Sequence, residues 1–194
     1  MIVVPPDIRG LIFDLDGTLA DTMPAHFRAW TDALSPHGVS FPEDYFYSLG
    51  GMPTRTIIQL LNERQGKQMP VEATGRRKEE LAAEYIRGVR PIEPVLNVAR
   101  SHFRKLPMAV ATGAYRTEAL RTLSDIGASD LFAVLVTADD VVHGKPAPDI
   151  FLEAARRIDV PPTACMAFED ADLGIQAAKA AGMTVFDIRT LPRA

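Results

Sequence analysis

Two aspartates separated by one residue, Asp14 and Asp16, follow the apolar run Leu11-Ile12-Phe13 and lead into Gly17-Thr18. An apolar run ending in acids and a glycine reads as a buried parallel strand feeding a functional loop. Ligands of open α/β sheets sit beyond the carboxyl ends of the strands, so both carboxylates can be aimed at one reacting atom. The tight turn brings the backbone N–H groups of Leu15 and Asp16 toward the same point, where they can hold an anion. Gly17 permits a turn that a side chain would hinder. Taken alone, the stretch also reads as a plain surface turn. Asp-x-Asp-Gly begins calcium loops too, but such a loop needs a glutamate at its twelfth position, and counting from Asp14 that position is Ala25.

Three further segments offer polar groups at strand ends. Met108-Ala109-Val110-Ala111 runs into Thr112-Gly113, a hydroxyl and an unhindered backbone N–H; by itself Thr112 reads first as a turn or cap residue. Phe132 to Val136 leads to Lys145 in His143-Gly144-Lys145-Pro146-Ala147-Pro148-Asp149. Pro146 restricts Lys145 to extended conformations and the two prolines stiffen the loop, so the lysine presents a fixed point charge, unless it is an ordinary surface lysine of a proline-rich turn. Ala164 to Phe168 ends in the adjacent acids Glu169 and Asp170, the second of which also suits a helix N-cap. Bringing Asp14, Asp16 and Asp170 together without a cation is costly, because like charges repel. Mg2+ suits carboxylate oxygens, waters and a phosphate oxygen, and Lys145 and Thr112 would face the remaining phosphate oxygens. A nucleophile, a cation and donors around the equatorial oxygens are what phosphoryl transfer requires.

The elements that position these groups alternate. A strand spans about Gly10 to Asp14. Phe27, Trp30 and Leu34 then recur at helical spacing, with Pro24 in the first turn. After a break from Pro36 to Pro42, Ile57, Leu60 and Leu61 mark a second helix, and Leu81 to Ile86 the end of another. No convincing strand occurs between Thr22 and about Arg87, so this block reads as an inserted helical unit hinged at Leu19 to Met23 and Gly88 to Pro94. Beyond it, Pro94 to Arg104 is expected to be helical with Val95, Val98 and Phe103 in the core. Thr117 to Ile126 is a helix with Leu120 and Leu123 inward, stopped by Gly127. Asp149 to Ile158 is a helix entered through Pro148, Gly174 to Ala181 a helix closed by Gly182, and Met183 to Asp187 the last strand. Such alternation implies a mostly parallel sheet with helices on both faces.

The whole chain sets limits. Its 194 residues allow one good core, or a core plus a small second unit. With 47% hydrophobic and 24% charged residues and a net charge of −4, it has ordinary globular composition and little electrostatic support for a nucleic-acid partner. The one basic cluster, Arg76-Arg77-Lys78, is followed at once by Glu79-Glu80 and reads as a solvated helix face. Cys165 is the only cysteine and lies in an apolar run; a small buried hydrophobe in a reducing cytoplasm is the expectation. The N-terminus lacks the pattern of a signal peptide, and no apolar run approaches a membrane span.

The four strand-end segments together resemble the motifs of the haloacid dehalogenase superfamily, over essentially the full chain. The helical insertion is similar to the small cap of the β-phosphoglucomutase-like subgroup, with His26-Phe27-Arg28-Ala29-Trp30 similar to the mutase's first cap helix. Pro107-Met108-Ala109-Val110 and Phe168-Glu169-Asp170-Ala171-Asp172 resemble the fructose-1-phosphate phosphatase branch more closely. The resemblance implies a Rossmann-like α/β core at 1–18 and 90–194 and an inserted all-helical cap domain at 19–89. It implies that Asp14 is a nucleophile forming an aspartyl-phosphate and Asp16 a general acid and base. Leu15, Thr112, Gly113 and Lys145 would bind the phosphoryl group. Asp14, the Asp16 carbonyl and Asp170 would hold Mg2+, supported by Glu169. His26, Gly51, Thr54, Arg55 and Lys78 are the cap residues it sets toward the substrate. The cap loop Gly50-Gly51-Met52-Pro53-Thr54-Arg55 lacks the mutase's lysine and carries its arginine one place later, and Ala114 and Arg116 replace residues that help hold the mutase's second phosphate; Lys78 does match a cap lysine of the mutase. The implied activity is therefore a Mg2+-dependent phosphatase of a small sugar phosphate or similar metabolite, with a phosphomutase as the alternative. A carbon–halogen dehalogenase fits less well, and a catalytically idle binding protein has no use for an acid beside a nucleophile. The expected partner is a small phosphorylated metabolite, with no nucleic acid and no membrane, in a cytoplasmic monomer or small homo-oligomer.

Overall fold

The structure, a computed structural model, describes residues 2–192. Strand β1 (Gly10–Phe13) is followed by four helices, α1 (Met23–Leu34), α2 (Glu43–Ser48), α3 (Thr54–Gln65) and α4 (Val71–Tyr85). Helix α5 (Glu93–His102), strand β2 (Met108–Ala111), helix α6 (Arg116–Asp125) and strand β3 (Val134–Val136) come next. Helix α7 (Asp149–Arg157), strand β4 (Cys165–Glu169), helix α8 (Asp172–Ala180) and strand β5 (Thr184–Asp187) complete the order. The five strands form one parallel sheet in the order β3-β2-β1-β4-β5.

Both faces of the sheet are covered, which is why its central strands are apolar throughout rather than alternating. Leu11, Phe13, Val110 and Phe168 point to the face packed by α5 and α6. Ile12, Ala109, Ala111 and Ala167 point to the face packed by α7 and α8, where alanines let the helices approach closely. Phe13 stacks on Phe168 across the β1–β4 pair, ring centroids 4.5 Å apart. The chain winds outward from β1 through β2 to β3, then returns to β4 on the other side. The switch in direction lies between β1 and β4, where open α/β sheets leave a crevice for ligands.

The helices from α1 to α4 have apolar clusters of their own. One joins Trp30, Leu34, Phe41, Phe46, Ile57, Ile58, Leu61 and Met69, the other Ala29, Ala33, Leu81 and Ala82. The two connections to the sheet lie against each other: Asp21 N–H donates to the Arg90 carbonyl at 3.0 Å and Ile92 N–H to the Leu19 carbonyl at 2.9 Å. No helix among the described residues is long and apolar enough to cross a membrane.

Two core expectations fail. Leu120 is exposed. The inward stripe of α6 is Ala119, Thr122 and Leu123, continued by Ile126. Leu120 lies about 100° of helical rotation from Ala119 and faces solvent. Phe103 is also exposed, because α5 ends at His102 and the chain turns out at Phe103 before Arg104 adopts a left-handed φ of 61°. Strands are shorter than expected at β1 and β3, and the one-and-a-half-turn α2 falls where no helix was expected.

Candidate active site

Asp14 is the first residue past β1, and its N–H still donates to the Phe168 carbonyl at 3.0 Å. That bond holds its buried side chain at the crevice between β1 and β4. Asp14 Oδ1 accepts from Lys145 Nζ at 2.6 Å, and the same ammonium donates to Glu169 Oε1 at 2.6 Å. The lysine is buried, and its peptide bond to Pro146 is cis. Glu169 turns its second oxygen to the N–H groups of Asp170 and Ala171, both at 2.8 Å. Glu169, not Asp170, thus satisfies the free donors ahead of α8. Asp170 accepts instead from the Thr18 hydroxyl at 3.0 Å. Carboxylate oxygens of Asp14, Glu169 and Asp170 lie within 4.8 Å of one another.

Two glycines allow this crowding. At Gly17, with φ +82°, an added Cβ would overlap the Asp170 carboxylate, 2.7 Å from its Cγ. At Gly174, on the first turn of α8, a Cβ would overlap Glu169 Oε1 and Cδ and come within 2.6 Å of Oε2. Leu15 is buried, its carbonyl accepting from the N–H groups of Leu19 and Ala20, each at 3.0 Å, which curls the loop back on itself. Past β2, the Thr112 hydroxyl accepts from Ala114 N–H at 3.0 Å, so it shapes its turn as well as standing at the strand end. Gly113 opens onto free space, with no atom within 4 Å of where a Cβ would stand.

The helices of the insertion reach the same crevice at Asp16. Its Oδ1 accepts from the Thr22 hydroxyl at 2.8 Å and lies 3.6 Å from His26 Nε2. His26 Nδ1 is 3.3 Å from Lys78 Nζ, which donates to both Glu79 oxygens at 3.1 Å. The Thr54 hydroxyl donates to Glu79 Oε1 at 2.6 Å. Lys78 is therefore buried, with its ammonium 5.6 Å over the Trp30 ring, rather than part of a solvated face. Gly50 and Gly51 run close to the start of α8: a Cβ at Gly50 would stand 3.1 Å from Ala171 Cβ, and one at Gly51 3.5 Å from Leu173 Cβ. Arg55 is not drawn in: its side chain is 67% exposed and pairs with Glu72 on the outside of α3 and α4.

Residues 8–182 match the family described as haloacid dehalogenase-like hydrolase. The chain belongs to that family. Fructose-1-phosphate phosphatase YqaB of Escherichia coli is 42% identical over 94% of this chain and 97% of its own length. Among solved structures, β-phosphoglucomutase of Clostridium difficile superposes with a TM-score of 0.78 at 26% identity, covering 92% of this chain and 83% of that one. A mutant of CbbY from Rhodobacter sphaeroides, crystallised with xylulose-1,5-bisphosphate, superposes with a TM-score of 0.79 at 26% identity, covering 92% and 84%.

The electrostatics of this hydrolase's crevice call for a further cation. Burial pushes the Asp14 carboxyl well above its ordinary value; Lys145 opposes this, while Glu169 and Asp170 add to it. Burial, then Glu169, push Asp170 up to about 7 against the Thr18 hydroxyl and Lys145. Burial pulls the Lys145 ammonium down, but Asp14 and Glu169 outweigh it and hold the charge firmly. One lysine thus balances three carboxyls, and a set of hard oxygen donors fits a divalent metal ion. Asp16 behaves differently. Burial pushes it up, but His26, Thr22 and Lys78 together hold it below the ordinary carboxylate value.

Three participants escape the sequence reading. Thr22 is a hydroxyl on a connection, where threonine is common. Glu79 looked like a mere counter-charge to the basic cluster. Gly174 carries a faint signal: it is a glycine inside an alanine-rich helix, where glycine costs stability unless something must come close.

Proposed function

We propose that this chain is a Mg2+-dependent phosphatase of small sugar phosphates in the cytoplasm, working through an aspartyl-phosphate, with residues 19–89 acting as a cap over the pocket. The carrying observation is the buried Lys145 ammonium, 2.6 Å from both Asp14 and Glu169. It fixes one carboxylate oxygen and leaves the other to attack. The 42% identity to fructose-1-phosphate phosphatase supports a sugar phosphate as substrate.

In this reading an Asp14 oxygen attacks phosphorus as the ester P–O bond breaks, and Asp16 delivers its proton to the departing sugar oxygen. Asp16 then takes a proton from the water that attacks the aspartyl-phosphate, which releases inorganic phosphate and restores Asp14. Its lowered pKa suits the second step. For the first, the dianionic phosphate of a bound substrate raises it again, as a like charge does. Thr112, Gly113 and the Leu15 backbone bind the non-reacting phosphoryl oxygens, with Lys145 beside them. Asp14, the Asp16 carbonyl and Asp170, with Glu169 behind them, would hold Mg2+, which when bound would supply positive charge against the phosphoryl oxygens. His26 keeps Asp16 oriented, so the acid and base is complete only when the cap sits against the core.

The test is a panel of sugar phosphates with Mg2+, read as free phosphate and as sugar isomers. Phosphate release with no isomer supports hydrolysis; conversion of one sugar phosphate to another without free phosphate selects the mutase. Metal dependence gives a second prediction. Free Asp170 holds its proton up to about pH 7, far above the unfolded value near 3.8. The metal-free native state therefore binds more protons than the unfolded chain between these values, and this group's stabilisation is lost as pH rises. Mg2+ must displace that proton. Its affinity is expected to fall by at least about tenfold per pH unit below 7, since the Asp14 carboxyl is raised as well, and its effect on Tm to be larger at pH 8 than at pH 6. Calorimetric titration and thermal melts check both; a pH-independent affinity would remove Asp170 from the metal site.

A further inference from the structure

Lys78 and Glu79 are neighbours on α4, and neighbouring residues on a helix do not face each other. Yet Lys78 Nζ is 3.1 Å from both Glu79 oxygens, so the two side chains bend toward one point. That point lies at the pocket: the same ammonium is 3.3 Å from His26, whose other nitrogen is 3.6 Å from Asp16. Glu79 is a third exposed although it takes both Lys78 and the Thr54 hydroxyl, the latter at 2.6 Å, so its carboxylate keeps contact with solvent beside this cluster. Glu118 on α6 is close enough to this cluster for its carboxyl to be raised by its own burial, then by Glu79, while Lys78 opposes both, so the core adds a second acid beside the first. Arg116, at the start of α6, is paired with Asp140 at 2.6 Å, and Arg55 points outward to Glu72.

We propose that Glu79 is a specificity-determining residue: by neutralising the buried Lys78 it leaves the sugar end of the pocket without a spare positive charge. The pocket then favours monophosphate esters whose remainder is an uncharged polyol, and turns away esters carrying a second phosphate. Carboxylate and threonine oxygens suit sugar hydroxyls, which both donate and accept. A second phosphate dianion would instead face Glu79 and Glu118, and like-charge juxtaposition is a strong means of rejection. The related CbbY mutant crystallised with a sugar bisphosphate shows that this architecture can hold two phosphates. Rejection must then come from particular side chains.

This inference rests on the phosphatase reading, and the experiment separates the two. kcat/KM is measured with Mg2+ for fructose 1-phosphate and fructose 1,6-bisphosphate, in wild type, Glu79→Gln and Glu79→Asp. Wild type is expected to prefer the monophosphate by at least about tenfold, and Glu79→Gln to shift the ratio toward the bisphosphate by about tenfold or more. Glu79→Asp, which keeps the charge, should stay near the wild-type ratio. A purely structural role would lower both activities together and leave the ratio where it was, which overturns the proposal. If Glu79→Gln does not fold, wild type decides alone, since equal handling of the two esters also overturns it. No phosphate released from either ester by wild type would take down the phosphatase reading itself.

Discussion

Replacing Asp14 by asparagine is expected to lower kcat for phosphate release by at least about 10^4-fold, the scale of losing a covalent nucleophile, while the protein stays folded. The amide has the same shape and keeps an oxygen for Lys145, whose ammonium retains Glu169 at 2.6 Å. Crowding is relieved rather than increased, because the carboxyl it replaces is pushed up by burial and by two neighbouring acids. Metal-free Asp14→Asn should therefore melt no lower than metal-free wild type. The lost rate corresponds to about 5 kcal/mol of transition-state stabilisation, which positioning by Lys145 and Thr112 cannot replace. Mass spectrometry after rapid quench should find an acyl-phosphate on Asp14 in wild type and none in the variant. Turnover within tenfold of wild type would end the covalent mechanism.

The parts of this site that could be read in advance share a physical cause. A parallel sheet buried on both faces demands apolar strands, and every such strand here ends in a polar group at one edge. Asp14, Thr112 and the Glu169-Asp170 pair therefore stand out as breaks in apolar runs, and Lys145 as a cation directly ahead of two prolines. What escaped depends on rotation and reach. Leu120 and Ala119 differ by one step around α6, and the smaller residue faces the core. The charge pattern puts Lys78 in a solvated basic triplet, and only the resemblance set it toward the substrate; its place on α4 is what brings it against Trp30 and His26. Two adjacent acids do not reveal that Glu169 braces Lys145 and the start of α8 while Asp170 faces Thr18. That division of labour follows from strand register: Glu169 is the last residue of β4 and buried, and Asp170 the first beyond it.

The same register makes Gly174→Ala the second large effect. In an ordinary helix interior this change favours folding by about 0.5–1 kcal/mol. Here the new methyl would occupy the space of the Glu169 carboxylate. Glu169 cannot swing away without losing Lys145 at 2.6 Å and the Asp170 and Ala171 N–H groups at 2.8 Å, and its side chain is only 1% exposed. A buried charge torn from its partners costs about 3–5 kcal/mol, so the clash outweighs the helix preference several-fold. The expected loss is at least about 3 kcal/mol, or roughly 6–12 °C in Tm for a chain of this size. The surviving fold should show at least about a hundredfold lower kcat, on the scale expected when a small misplacement disturbs reacting groups, because Lys145 loses the brace that aims it at Asp14. The clash is mutual, so it should disappear when the carboxylate does: on a Glu169→Ala background, Gly174→Ala should cost almost nothing or stabilise slightly. Equal costs on both backgrounds would mean that the tight fit between Gly174 and Glu169 does not hold the lysine in place.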